Sequence, residues 1–204
     1  DPEKLSAAKF LIENMPAHYS YQGEDINRYY ELAYKIITSK LTPKEQRDSL
    51  LSISEKQFLG IEYRTIPDVK VITSDFLIHN IDAAFEKWKS CEWASHLTFD
   101  DFCEWLLPYK AVELQNLDSW RDTLSNYFGD AITNMVVDDD QYGTTYYTLD
   151  AVRNNIISKV KPLGMYNNSG YPLLSADLLH KQTFGRCEDY VNLAVLTYRS
   201  VGLP

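Results

Sequence analysis

Three cysteines stand in the 204-residue chain, Cys91, Cys103 and Cys187, and the last sits in a context that favours thiol chemistry. Gly185 lies two residues before it and permits a close approach or an unusual backbone conformation. After it, Val191, Ala194, Val195 and Tyr198 recur at helical spacing, and Gly202 with Pro204 beyond marks the helix end. The pattern predicts a helix over 187–201 with Cys187 at its N-terminus. Unpaired backbone amides and the positive end of the helix dipole favour a thiolate there, the nucleophilic form of the residue. Glu188 and Asp189 act in the opposite direction, because neighbouring negative charge disfavours a thiolate. The same spacing supports a second reading: Cys187 shares a stripe with Val191, Ala194 and Tyr198, where a cysteine serves as a small buried hydrophobe.

Other chemistry-bearing clusters are weaker. Asp138, Asp140 and Gly143 match positions one, three and six of a calcium-binding loop. Tyr142 and Leu149, however, stand at positions five and twelve, where oxygen ligands are needed, so a solvated acidic turn is expected. His18, His79, His96 and His180 lack metal-binding spacing and read as surface or hydrogen-bonded polar residues, so neither a metal nor a cofactor is expected. Trp88, Trp93, Trp105 and Trp120 fall in amphipathic segments and read as core. Fifteen tyrosines can line a carbohydrate or peptide surface, a use that competes with ordinary amphipathic packing.

The elements that must position Cys187 are helical. Ile26, Tyr29, Tyr30, Ala33, Ile36 and Ile37 recur at three- and four-residue steps over 25–38. Thr42, Pro43 and Glu45 form a capping signature ahead of Leu50, Leu51 and Ile53. A helix from Ser74 places Leu77, Ile81, Ala84, Phe85 and Trp88 on one face. Another follows Thr98, with Asp101 at the capping-box position, Phe102 and Leu106 inward and Pro108 as its terminator. Segments 119–128 and 150–160 complete the set before a stretch rich in Gly, Pro and Asn at 161–172, and a short helix at 176–181 precedes the cysteine helix. Eight glycines and eight prolines fall well below the roughly 12% of average usage, too little turn chemistry for many short strands. The fold class expected is mainly α. It divides into a helical N-terminal region (1–160), a boundary loop (161–172) and a C-terminal part (173–204).

With 20 basic and 29 acidic residues the net charge is −9, and no dense Lys/Arg run is available to neutralise phosphates, so nucleic acid is not an expected partner. No apolar run approaches the roughly 18 residues of a membrane-spanning helix. The chain opens Asp1-Pro2-Glu3-Lys4 without the basic and apolar regions of a leader, so it is expected to be cytosolic or already processed. An odd number of cysteines argues against a disulfide framework.

The segment from Gly185 to Pro204, GRCEDYVNLAVLTYRSVGLP, resembles the nucleophile helix of the transglutaminase-like superfamily. Gly185, Cys187, Asp189, Leu193, Arg199, Gly202, Leu203 and Pro204 fall in matching places, and Tyr190 and Val191 depart mildly. Segments 4–21 and 99–121 look similar to the helical N-terminal region of bacterial exported proteins that carry such a core.

The resemblance implies a papain-like triad in which Cys187 attacks an amide carbonyl through a thioester intermediate. The outcome would be acyl transfer or amide and peptide hydrolysis, with a protein or peptide as substrate. Gln182, five residues upstream, is a candidate oxyanion donor beside the Cys187 backbone amide. The family's histidine and aspartate follow the cysteine helix, whereas all four histidines here precede Cys187. The expectation is therefore the N-terminal portion of such an enzyme, its α+β core interrupted after the nucleophile helix and inactive alone. The competing expectation is a non-enzymatic helical scaffold with a degenerate core. By resemblance the protein is exported, to the periplasm or cell surface, with a lipid anchor conceivable. A core without its sheet would leave Val195 and Val201 unpartnered, predicting self-association through that surface.

Overall fold

A computed structural model describes residues 1–53, 64–130, 136–139, 143–146, 149–159, 164–165, 172–182 and 184–204, and the fold is mainly α. The helices are α1 (Pro2–Asn14), α2 (Glu24–Ile37), α3 (Pro43–Ile53), α4 (Ser74–Ser90), α5 (Phe99–Trp105), α6 (Trp120–Phe128), α7 (Leu149–Lys159), α8 (Ala176–Leu179) and α9 (Cys187–Val201). Among the described residues no helix is long and apolar enough to cross a membrane. Most of the loop expected at 161–172 lies outside the described residues, as do the centre of the acidic run (Asp140, Gln141, Tyr142) and Val160.

Local capping chemistry sets several helix starts. Thr42 N–H donates to Glu45 Oε2 at 2.8 Å and Glu45 N–H to Thr42 Oγ1 at 3.4 Å, satisfying two amides at the start of α3. Hydrogen bonding also holds the Glu45 carboxyl below its usual range. Thr98 and Asp101 exchange the same pair of bonds ahead of α5. That helix ends at Trp105, three residues before Pro108. Short strands, which sparse turn chemistry argued against, come in pairs: β1 (Tyr19–Gln22) antiparallel to β2 (Arg64–Pro67), β3 (Val136–Asp139) antiparallel to β4 (Gly143–Tyr146), and β5 (Gly164–Met165) parallel to β6 (Phe184–Gly185).

Two apolar cores form among the described residues. One gathers Ala7 and Leu11 of α1, Ile81, Phe85 and Trp88 of α4, and Phe102 of α5; the Trp88 and Phe102 rings stack with centroids 4.4 Å apart. The other joins Ile26, Tyr29 and Ala33 of α2, Leu50 of α3, Trp120, Leu124 and Phe128 of α6, Ile156 of α7, and Leu193, Leu196 and Val201 of α9. Thus α9 shares its core with helices from the first half of the chain. Val201 is buried there rather than exposed, because α6 supplies the cover that a sheet was expected to give, and Val195 is half-buried. Trp105 departs in the other direction and is 59% exposed, since the α5 face that packs is the one bearing Phe102 and Cys103.

Between the cores, the chain leaves helical geometry after Trp105, so the carbonyls from Trp105 to Lys110 need other donors. Arg121 fills this role: Nε donates to Asn80 Oδ1 (2.7 Å) and one terminal nitrogen to the carbonyls of Leu106 (2.6 Å), Leu107 (3.0 Å) and Pro108 (3.3 Å). Full burial, and secondarily the nearby Arg199, pushes its guanidinium well below its ordinary pKa. Truncating it would strand those carbonyls. At about 1–3 kcal/mol for each stranded group, we expect Arg121→Ala to lower stability by about 3 kcal/mol or more in urea unfolding and Asn80→Ala by about 1–3 kcal/mol, and Arg121→Lys to recover little, because an ammonium lacks the planar fork. Near-wild-type stability of Arg121→Lys would refute this role of the fork.

Candidate functional site

Cys187 is the first residue of α9 and is exposed, so it is not the core residue that its stripe suggested. The buried face of α9 carries Asp189, Asn192, Leu193, Ala194, Leu196, Thr197, Ser200 and Val201; of the expected inner stripe Ala194 is buried, while Val191 is 48% exposed. The approach to the thiol is extended rather than left-handed: Gly185 is buried in β6, pairing with Met165 of β5, and the positive-φ glycines among the described residues are Gly23 and Gly202.

The start of α9 is anchored by Asp189, whose fully buried side chain accepts from Arg186 N–H through Oδ2 at 2.9 Å. The Arg186 guanidinium lies 3.6 Å from the Asp189 carboxylate and 3.7 Å from that of Glu188. The two acids beside Cys187 therefore face a cation, an arrangement that neighbour-by-neighbour reading of the sequence missed.

The far end of α9 is equally determined. Arg199 Nε donates to Trp105 O at 2.9 Å and its guanidinium also reaches Lys110 O; burial pushes its pKa down to about 10. Gly202 closes the helix at φ +82°, donating to the carbonyls of Arg199 and Tyr198, and a Cβ there would stand 2.7 Å from Cys91 Cβ. Leu203 is buried, and Pro204 O accepts from Arg153 at 2.6 Å.

Gln182 is buried, and neither its Oε1 nor its Nε2 has a hydrogen-bond partner. Asn192 and Thr197 on α9 are likewise buried with unpartnered polar atoms, and no motif pointed to them. The histidines are dispersed. His18 Nδ1 pairs with Glu113 (2.5 Å) and His79 Nε2 with Asp122 (2.8 Å), while His96 is exposed. His180 lies against the Tyr127 ring at 4.9 Å between centroids. Burial lowers the His180 pKa, and its Nδ1 is buried without a partner, unlike the satisfied histidine expected. Among the described residues Cys187 has no hydrogen-bond partner, histidine or otherwise, and no group of three His, Cys, Asp or Glu side chains is placed to hold a metal.

Comparison with protein-family models, curated proteins and solved structures found no match.

The three thiols differ in a measurable way. Burial raises Cys91, and burial together with Asp100 and Glu104 raises Cys103 to about 11. With Cys187 exposed, a disulfide reagent at neutral pH should modify one thiol rapidly and two slowly, and Cys187→Ser should abolish the fast phase. Three comparable rates would contradict the exposure difference.

Proposed function

We propose that Cys187 is the nucleophile of a transglutaminase-like cysteine enzyme acting on amide bonds of a protein or peptide. The observation that supports this is a division of labour within the motif. Asp189 anchors the helix start, Leu193 and Leu203 fill the core, Arg199 holds two carbonyls, and Gly202 closes the helix against Cys91. Packing accounts for each of these residues. Cys187 is exposed at the N-terminus of a fifteen-residue helix with no structural task.

In this reading the Cys187 thiolate attacks the carbonyl carbon, and the oxyanion is held by the Cys187 backbone N–H and the Gln182 amide, whose hydrogen-bonding capacity is free. Collapse forms a thioester and expels the amine, which takes the proton that an imidazole removed from the thiol. Water or a second amine then attacks the thioester and regenerates the cysteine. In the family that the cysteine motif resembles, the imidazole and its aspartate follow the nucleophile helix, and the same order is proposed here, since none of His18, His79, His96 and His180 takes that position. The α+β core with its helical N-terminal region, and export from a bacterial cell, belong to the same proposal.

A scaffold without catalysis is the second reading, favoured by the depth at which α9 is built into the N-terminal core and by the absence of a described histidine at the thiol. Ammonia release from a glutamine-containing peptide, with incorporation of a fluorescent primary amine, separates the two in polypeptide extended past Pro204. Enzyme action predicts that Cys187→Ala reduces the rate by about 10³-fold or more and Gln182→Ala by about 10²-fold, with the 204-residue chain at background. Turnover that persists in Cys187→Ala, or no turnover in the extended polypeptide, favours the scaffold.

A further inference from the structure

A second feature, independent of Cys187, lies between α2 and α8. A broad solvent-open groove of about 490 Å³ is lined by Asn27, Tyr30, Glu31, Tyr34 and Lys35 of α2 and by Asn116, Asp177 and Leu178. The volume falls in the range of about 300–1,000 Å³ common to small-molecule sites.

Both walls are tied in place. Tyr30 OH donates to Leu173 O at 3.1 Å, linking α2 to the segment that enters α8. Asp177 N–H donates to Asp118 Oδ2 at 3.3 Å, and Ser175 Oγ accepts from Leu178 N–H at 3.3 Å, fixing the turn that presents Asp177. Lys181 Nζ stands 5.4 Å from the Tyr34 ring centroid, and the ring remains 50% exposed. Walls fixed in this way leave less entropy to be lost on binding.

The lining selects a chemical class. Asn27, Asn116 and Lys35 offer N–H donors, Glu31 and Asp177 offer carboxylate acceptors, and each asparagine offers an acceptor as well. A cation needs acceptors alone and is opposed by Lys35; an anion needs donors alone and is opposed by Glu31 and Asp177. Burial raises the nearby Asp118 carboxyl to about 7, so at neutral pH it carries only part of a negative charge beside Asp177. A hydroxyl that donates and accepts at once matches the mixture, and the Tyr34 ring supplies a flat apolar face for the C–H side of a pyranose.

We propose that this groove between α2 and α8 binds a neutral saccharide. Titration of the 204-residue chain with cellotetraose, maltotetraose, xylotetraose and chitotetraose, followed by side-chain amide NMR, tests it. At least one oligosaccharide should bind in the micromolar to millimolar range and shift the Asn27 and Asn116 side-chain amide signals. Tyr34→Ala and Glu31→Gln should each weaken binding by about tenfold or more, while Cys187→Ala and Tyr127→Ala, the latter at an exposed aromatic outside the groove, should leave it unchanged. The proposal is overturned if none of the four binds at millimolar concentration, if binding survives both groove substitutions, or if an uncharged tetrapeptide alone takes the groove with the same dependence.

Discussion

Every carbonyl from Trp105 to Lys110 accepts a hydrogen bond from a side chain, and the arrangement of the two cores depends on that. Arg199 takes Trp105 and Lys110; Arg121 takes Leu106, Leu107 and Pro108; Asn80 adds a second bond to Leu107; Trp120 and Gln115 take Tyr109. The donors come from α4, α6, α9 and the loop before α6, so one irregular segment fixes the positions of three helices at once. Neither arginine forms a carboxylate pair among the described residues. Their charge is met by peptide dipoles, which is why burial depresses both guanidinium groups. Such a network is costly when half-satisfied and specific when complete.

The same segment reaches the β1–β2 pair through the Lys110 side chain. Its Nζ lies 2.6 Å from Asp68 Oδ2, and it donates to Tyr19 O at 2.7 Å and Ser20 Oγ at 2.9 Å, so each ammonium proton has an acceptor. Burial lowers the Lys110 pKa against the opposing pull of Asp68, and Tyr109, which donates to the same carboxylate, is pushed up by burial and by that charge. Ion pairs this deep often add little net stability, but removing one partner leaves a bare charge and costs about 3–5 kcal/mol. Their effect here is to fix register. Tyr19–Gln22 and Arg64–Pro67 are four-residue strands that pair only with each other among the described residues, and Ser20 of β1 is held to Asp68, the residue after β2, at 2.6 Å.

Features encoded within a few residues were legible in the sequence. The Thr42–Glu45 and Thr98–Asp101 caps, the α2 stripe and the Gly202 stop depend on neighbours within one helical turn, and a linear reading finds them. Features that depend on distant partners were not. Two of the strand pairs, β1–β2 and β5–β6, join segments tens of residues or nearly twenty residues apart, and β3 and β4 are only four residues each, too short for a clear periodic signal. Trp105 is exposed because its helix has only seven residues and one packed face. On α9 the error has a clear cause: the inner face includes Asp189, Asn192, Thr197 and Ser200, so hydrophobic spacing selected the neighbouring stripe and carried Cys187 inward with it. A helix whose buried face is half polar defeats a rule that equates apolar with inside.

That polar inner face bears on how Cys187 is understood. Desolvating an amide or hydroxyl without a partner costs about 1–3 kcal/mol per group, and Gln182, Asn192 and Thr197 all do so. Apolar residues of similar volume would relieve that cost if α9 were only a packing element. Lys110 and Asn80 show buried polar side chains fully engaged elsewhere in the fold, while unpartnered buried atoms also occur at Asp118, at His180 and on one terminal nitrogen of Arg121, so the unsatisfied set is not confined to the cysteine helix. The chemistry proposed for Cys187 draws on one member of this set, Gln182, whose amide it assigns to the oxyanion.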